Sequence, residues 1–142
     1  MSTRCQIQFI EDNQKITVYR HSDGYPFENG YGVLPDLQAF FKWNNRLDLE
    51  YCVANFIYWS KKQHSKYSEF LGFGICTDNH IHGDIEYYYK VDLDQLEISV
   101  YSVPYDKFED RKLEQKIKLI DKDSKRVAQC YGKLDLTTVF GD

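Results

Sequence analysis

Apolar and polar residues alternate at two places near the start of the chain. Over residues 4–10, Cys5, Ile7 and Phe9 face one way and Arg4, Gln6 and Gln8 the other. Over residues 15–21, Ile16 and Val18 oppose Thr17, Tyr19 and His21. A period of two belongs to a strand with one face buried. The linker Glu11-Asp12-Asn13-Gln14 has hairpin length, so the pattern predicts a β-hairpin that opens the fold.

The period then lengthens. After a loop from Ser22 to Gly32 with three glycines, Leu34, Leu37, Phe40 and Phe41 mark a helical stripe that Asn44-Asn45 weakens. Pro35 suits a first helical turn, and Asp36 suits the positive end of the helix. Asp48 is placed to cap a second helix, whose apolar residues Leu49, Cys52, Val53, Phe56 and Ile57 recur at helical spacing. That helix is predicted to end near His64, where Lys61 and Lys62 suit the negative end.

Alternation returns at Leu71, Phe73 and Ile75, then at Ile85, Tyr87, Tyr89 and Val91, then at Leu96, Ile98 and Val100. With turns at 78–84 and 92–95, this predicts a three-stranded antiparallel meander. Residues 105–126 read equally as a helix or a strand, and the tail from Val127 to Phe140 has strand character in part. The expectation is a single α+β domain spanning residues 1–142. It is an antiparallel sheet of about five to six strands with two consecutive helices packed on one face.

Hydrophobic residues make up 42% of the 142, enough for a core, and the formal net charge is −4. That charge weighs against nucleic acid and anionic membrane as partners, since both call for a basic footprint. No run approaches the length needed to span a bilayer, and no secretory leader is evident. Cys5, Cys52, Cys76 and Cys130 lie far apart and form no CxxC pair, which fits free thiols in a cytoplasmic protein. Aromatics reach 16%. Tyr88 and Tyr101, on the face opposite the apolar one, are the candidates for a partner interface, with a homodimer as the expected assembly.

The densest chemistry is in Arg20-His21-Ser22-Asp23-Gly24-Tyr25-Pro26, at the strand-to-helix junction. An arginine fork suits a phosphate or carboxylate, and an imidazole is poised for proton transfer near neutral pH. Glycine-rich backbone and a helix N-terminus would add N–H donors. Arg4 lies on the strand expected to pair with that of Arg20, so register decides whether the two converge. The ligand-binding candidates are therefore Arg4, Arg20, His21, Asp23 and Tyr25. The competing reading is structural, with Arg20 and Asp23 as a local ion pair and Asp23-Gly24 as a turn that launches the helix. His80 and His82, with Cys76, Asp78 or Asp84, offer metal-ligand types, but the same residues are ordinary turn formers, and no metal or cofactor is assigned.

The segments Ser2-Thr3-Arg4, Tyr19-Arg20-His21-Ser22-Asp23-Gly24-Tyr25-Pro26 and Gly32-Val33-Leu34-Pro35-Asp36-Leu37 resemble a family of small uncharacterised microbial and phage proteins. Its pattern is an S-T-R start and a Y-R-H-x-D-G-Y-P segment before a V-L-x-D-L helix. Gly83-Asp84-Ile85-Glu86-Tyr87 also looks like a family segment, whereas Phe27–Tyr31 is longer than the pattern. The resemblance implies no activity. It implies that the opening loop is a shared signature.

Three functions follow as expectations. The first is binding of a small anionic ligand, a nucleotide or phosphorylated metabolite, at loop 20–36. The second is hydrolysis with His21 and Asp23 as acid–base pair and Arg20 stabilising negative charge. The third is a protein-binding accessory or inhibitor module of mobile-element or defence systems.

Overall fold

The computed structural model describes residues 3–64 and 72–102, together with the backbone of 125–129. Strands β1 (Cys5–Glu11) and β2 (Gln14–Arg20) form the opening hairpin. Asp12 and Asn13 sit at its tip in the left-handed region that such a tight turn requires. Helices α1 (Val33–Trp43) and α2 (Leu49–His64) follow. Then come β3 (Phe73–Ile75), β4 (Tyr87–Asp92), β5 (Glu97–Ser102) and β6 (Lys125–Gln129). The fold is α+β. Of the ambiguous segment, residues 105–124 lie outside the described residues, as do 130–140 of the tail.

Strand order in the six-stranded sheet is β3-β2-β1-β4-β5-β6. Every pairing is antiparallel except β1 with β4, which is parallel. This corrects the expected all-antiparallel sheet and its 71–100 meander. β4 and β5 do pair as a hairpin, but β3 lies beside β2, on the other side of β1. The reason lies in the segment between β3 and β4. It does not turn back as a hairpin. A 3-10 turn at Thr77–Asn79, with Asp78 at φ 48°, leads the chain across the sheet, and it enters β4 running with β1.

The alternation of the opening strands holds in the register. Cys5, Ile7 and Phe9 share a face with Val18, Tyr89, Val91, Ile98 and Val100 and meet the helices. Leu34, Leu37, Phe40 and Phe41 from α1 and Leu49, Cys52, Val53 and Phe56 from α2 complete that core. Phe56 and Phe40 pack edge to face, with ring centroids 5.3 Å apart. Ile81 and Ile85 from the crossing segment cover the opposite face, where they bury Tyr88 and Tyr101.

Asp48 does precede α2, yet its carboxylate accepts from Arg46 Nε at 2.9 Å. The first helical amide, that of Leu49, donates instead to Glu11 Oε1 at 2.9 Å, so the end of β1 caps α2.

Candidate functional site

The loop between β2 and α1 is held by its own chemistry. Arg20 is 4% exposed. Its Nη1 donates to Asp36 Oδ2 and its Nε to the Ser22 carbonyl, both at 2.9 Å. Alternation brings this about. Arg20 falls on the helix-facing side of β2, opposite Cys5, and Asp36 is one turn into α1 above it. The arginine therefore pairs with Asp36, not with Asp23 as the local-turn reading has it. The helix N-terminus is occupied too. The Val33 amide donates to the Tyr25 carbonyl at 2.9 Å, and that of Leu34 donates to the Pro26 carbonyl at 3.1 Å.

Two glycines make this possible. Gly32, preceding the helix, has φ 133°, and a Cβ there would stand 2.5 Å from the Pro26 carbonyl oxygen. At Gly24 a Cβ would meet Cys5 Cβ at 2.8 Å, because the loop lies directly against β1. The Gly24 amide donates to the Thr3 carbonyl at 2.8 Å, and the buried Tyr89 hydroxyl donates to the Gly24 carbonyl at 2.7 Å. His21 and Asp23 point into solvent, and Asp23 takes φ 56°. Tyr25 is half-buried. Its phenol is raised by desolvation first, then by the carboxylates of Asp23 and Glu28.

Arg4 and Arg20 do not converge. They lie on opposite faces of the sheet, because Arg4 is one residue from Cys5, the position paired with Arg20. Arg4 Nε stands 3.5 Å from Asp84 Oδ2, and the Tyr19 hydroxyl donates to the same oxygen at 2.9 Å. His82 packs edge-on against Tyr19, with centroids 5.0 Å apart, and His80 against His82 at 4.9 Å. Gln6 organises this face. Its Nε2 donates to the His80 carbonyl at 2.6 Å, and its Oε1 accepts from the His82 amide at 2.8 Å. One side chain thus pairs with the crossing segment as a neighbouring strand would. Desolvation, then the bond to Asp84, pushes the Tyr19 phenol up to about 12. Cys76, half-buried beside Gln6, is also raised by desolvation. Among the described residues no group of three His, Cys, Asp or Glu is placed to hold a metal ion.

Tyr88 and Tyr101, expected at an interface, are on the expected face but only 2% and 4% exposed. The crossing segment that fills this face could not be told from a hairpin turn by composition. The exposed aromatics among the described residues are elsewhere: Phe27 and Tyr31, at 37% and 70%, in the loop before α1, and three more on the helix layer. Trp43, Tyr51 and Tyr58 are 53%, 54% and 55% exposed. Trp43 closes α1 and lies 6.5 Å from the Tyr58 ring. Tyr51, Ala54, Tyr58 and Lys62 follow one another at helical spacing along the outer side of α2, and all four are exposed. The Arg46 guanidinium stacks 3.5 Å from the Tyr51 centroid, and Lys62 Nζ is 5.4 Å from that of Tyr58. The sequence held the signal. The buried stripe Leu49, Cys52, Val53, Phe56 leaves Tyr51 and Tyr58 on the far side of the same helix.

No helix among the described residues is long and apolar enough to cross a membrane. Comparison with family models, with curated proteins and with solved structures finds no match.

Proposed function

We propose that this chain is a protein-binding module whose contact surface is the outer face of the helix layer. One observation carries the reading: Trp43, Tyr51 and Tyr58, each more than half exposed, gather on one face with Arg46 stacked on Tyr51. Tyr, Trp and Arg are the residues that dominate binding energy when a partner desolvates them. Large rings left in water together on one face mark an interaction surface. The small-anion reading of loop 20–36 has weaker support, because both of the Arg20 bonds and the first α1 amides are used within the loop.

The test is site-specific photo-crosslinking in cells that express the chain natively, with a benzophenone side chain at Tyr58 or, as control, at His80 on the opposite face. The expected result is a discrete adduct with a polypeptide from position 58, absent from position 80 and lost on Trp43→Ala. Equal adducts from both positions, or none from 58, would overturn the assignment.

A further inference from the structure

We infer that the occupant of this face is a second copy of the chain, seated with its α2 antiparallel to α2 of the first. The inference rests on the protein-binding reading above and names the partner. The argument is the order of residues along the exposed stripe. Tyr51 and Tyr58 lie either side of Ala54, about 10 Å apart along the axis. A two-fold axis near Ala54 therefore places Tyr51 of each copy against Tyr58 of the other. Ala54 itself, small and exposed, lets the two helices approach closely at the axis.

The two halves of the stripe are chemically complementary. One half carries a guanidinium on a phenol ring, Arg46 on Tyr51. The other carries the ring pair Trp43 and Tyr58. Antiparallel apposition sets Tyr51 of one copy against the Trp43–Tyr58 pair of the other, twice over, with Arg46 neutralised by its own Asp48 at 2.9 Å. The formal charges follow the same order. Glu50 stands in the first turn of α2, while Lys61 and Lys62 stand in the last. In the antiparallel pair each acidic end meets a basic end, whereas in a parallel pair like charges would meet. Antiparallel helix dipoles add to that preference. A heterologous partner would need none of this internal symmetry.

The experiment is sedimentation velocity over a concentration series, with three variants at the exposed Ala54 and Tyr58 positions and helical circular dichroism as the check on folding. Wild type is expected to dimerise. Tyr58→Ala weakens the dimer roughly thirtyfold, the scale of an interface anchor. Ala54→Glu and Ala54→Lys are each monomeric, because each places two like charges at the axis. Mixed in equal amounts, they form a heterodimer. A wild type that stays monomeric at every concentration overturns the inference. Should the Tyr58 adduct then still form with another polypeptide, the face reading stands and only the partner is wrong. A dimer that persists in Ala54→Glu overturns it too, by placing the contact elsewhere.

Discussion

Removing the carboxylate of Asp36 separates the structural account of the signature loop from the ligand account. Arg20 and Asp36 side chains are 5% and 12% exposed and meet at 2.9 Å. In Asp36→Ala the guanidinium keeps its bond to the Ser22 carbonyl but loses its counter-charge. Breaking one side of a buried pair costs about 3–5 kcal/mol, because the charge left behind is neither solvated nor neutralised. With a urea slope of about 2 kcal/mol per molar, 4 kcal/mol moves the unfolding midpoint down by about 2 M. That is a large part of the ~5–15 kcal/mol that stabilises a domain of this kind. The assay is equilibrium urea unfolding followed by tryptophan fluorescence and circular dichroism. The double variant Arg20→Met with Asp36→Leu is expected to recover most of the loss, since no charge is then stranded. Phosphate and nucleotides are added in a parallel series. A midpoint within about 0.5 M of wild type, with tighter anion binding in Asp36→Ala, would refute the brace and restore the anion site.

Gly32→Ala is expected to destabilise by more than Gly24→Ala. The first meets backbone in a conformation side chains rarely adopt, while the second meets the movable Cys5 side chain as well as backbone; both are read as thermal melting shifts. Burial raises Cys5 and Cys52 from 9.0 to about 12 and Tyr19 from 10.0 to about 12. The folded chain therefore holds these protons more tightly than the unfolded one. Stability is full below pH 9 and falls as pH rises through 9–12, and urea midpoints against pH should show that slope. In native protein Cys76 should react with a thiol reagent well before Cys5 and Cys52, by virtue of its partial exposure. Gln6→Ala should cost about 1–3 kcal/mol and speed amide exchange at His82, whose N–H it leaves without its acceptor.

The opening hairpin and both helices were legible because each has a single buried face, and a period of two or 3.6 reports that directly. Cys5, Ile7, Phe9 and the α2 stripe needed nothing beyond the period. The parallel β1–β4 pair was not legible. Its cause is the route of residues 76–86, and the sequence there, rich in Asp, Asn, His and Gly, is the same for a hairpin turn as for a crossing segment. Ile81 was the one hint, an apolar residue in a polar stretch, and it is buried against Tyr88 and Tyr101. Arg20 was found as a residue of consequence, but its partner was not. In the sequence Asp36 reads as a residue suited to the helix dipole, and only the stacking of α1 over β2 reveals it as the counter-ion. Arg4 needed register, which fixes it to Asp84 and away from Arg20.

The parallel pairing at the centre of the sheet also sets an order of events. β1 meets β2 within one hairpin, but its other edge waits for β4, with Ile7 opposite Tyr89 across the ladder. During synthesis β1, β2 and both helices emerge first, while β4 is still to come. Throughout that interval the strand at the middle of the finished sheet is an edge strand. It offers open amides and carbonyls, with apolar Ile7 and Phe9 beside them, to any other nascent chain. Closure of so distant a pair is slow compared with hairpin formation. The window for misassembly in this fold thus lies at its most buried strand, and it closes only when the crossing segment has carried β4 into place.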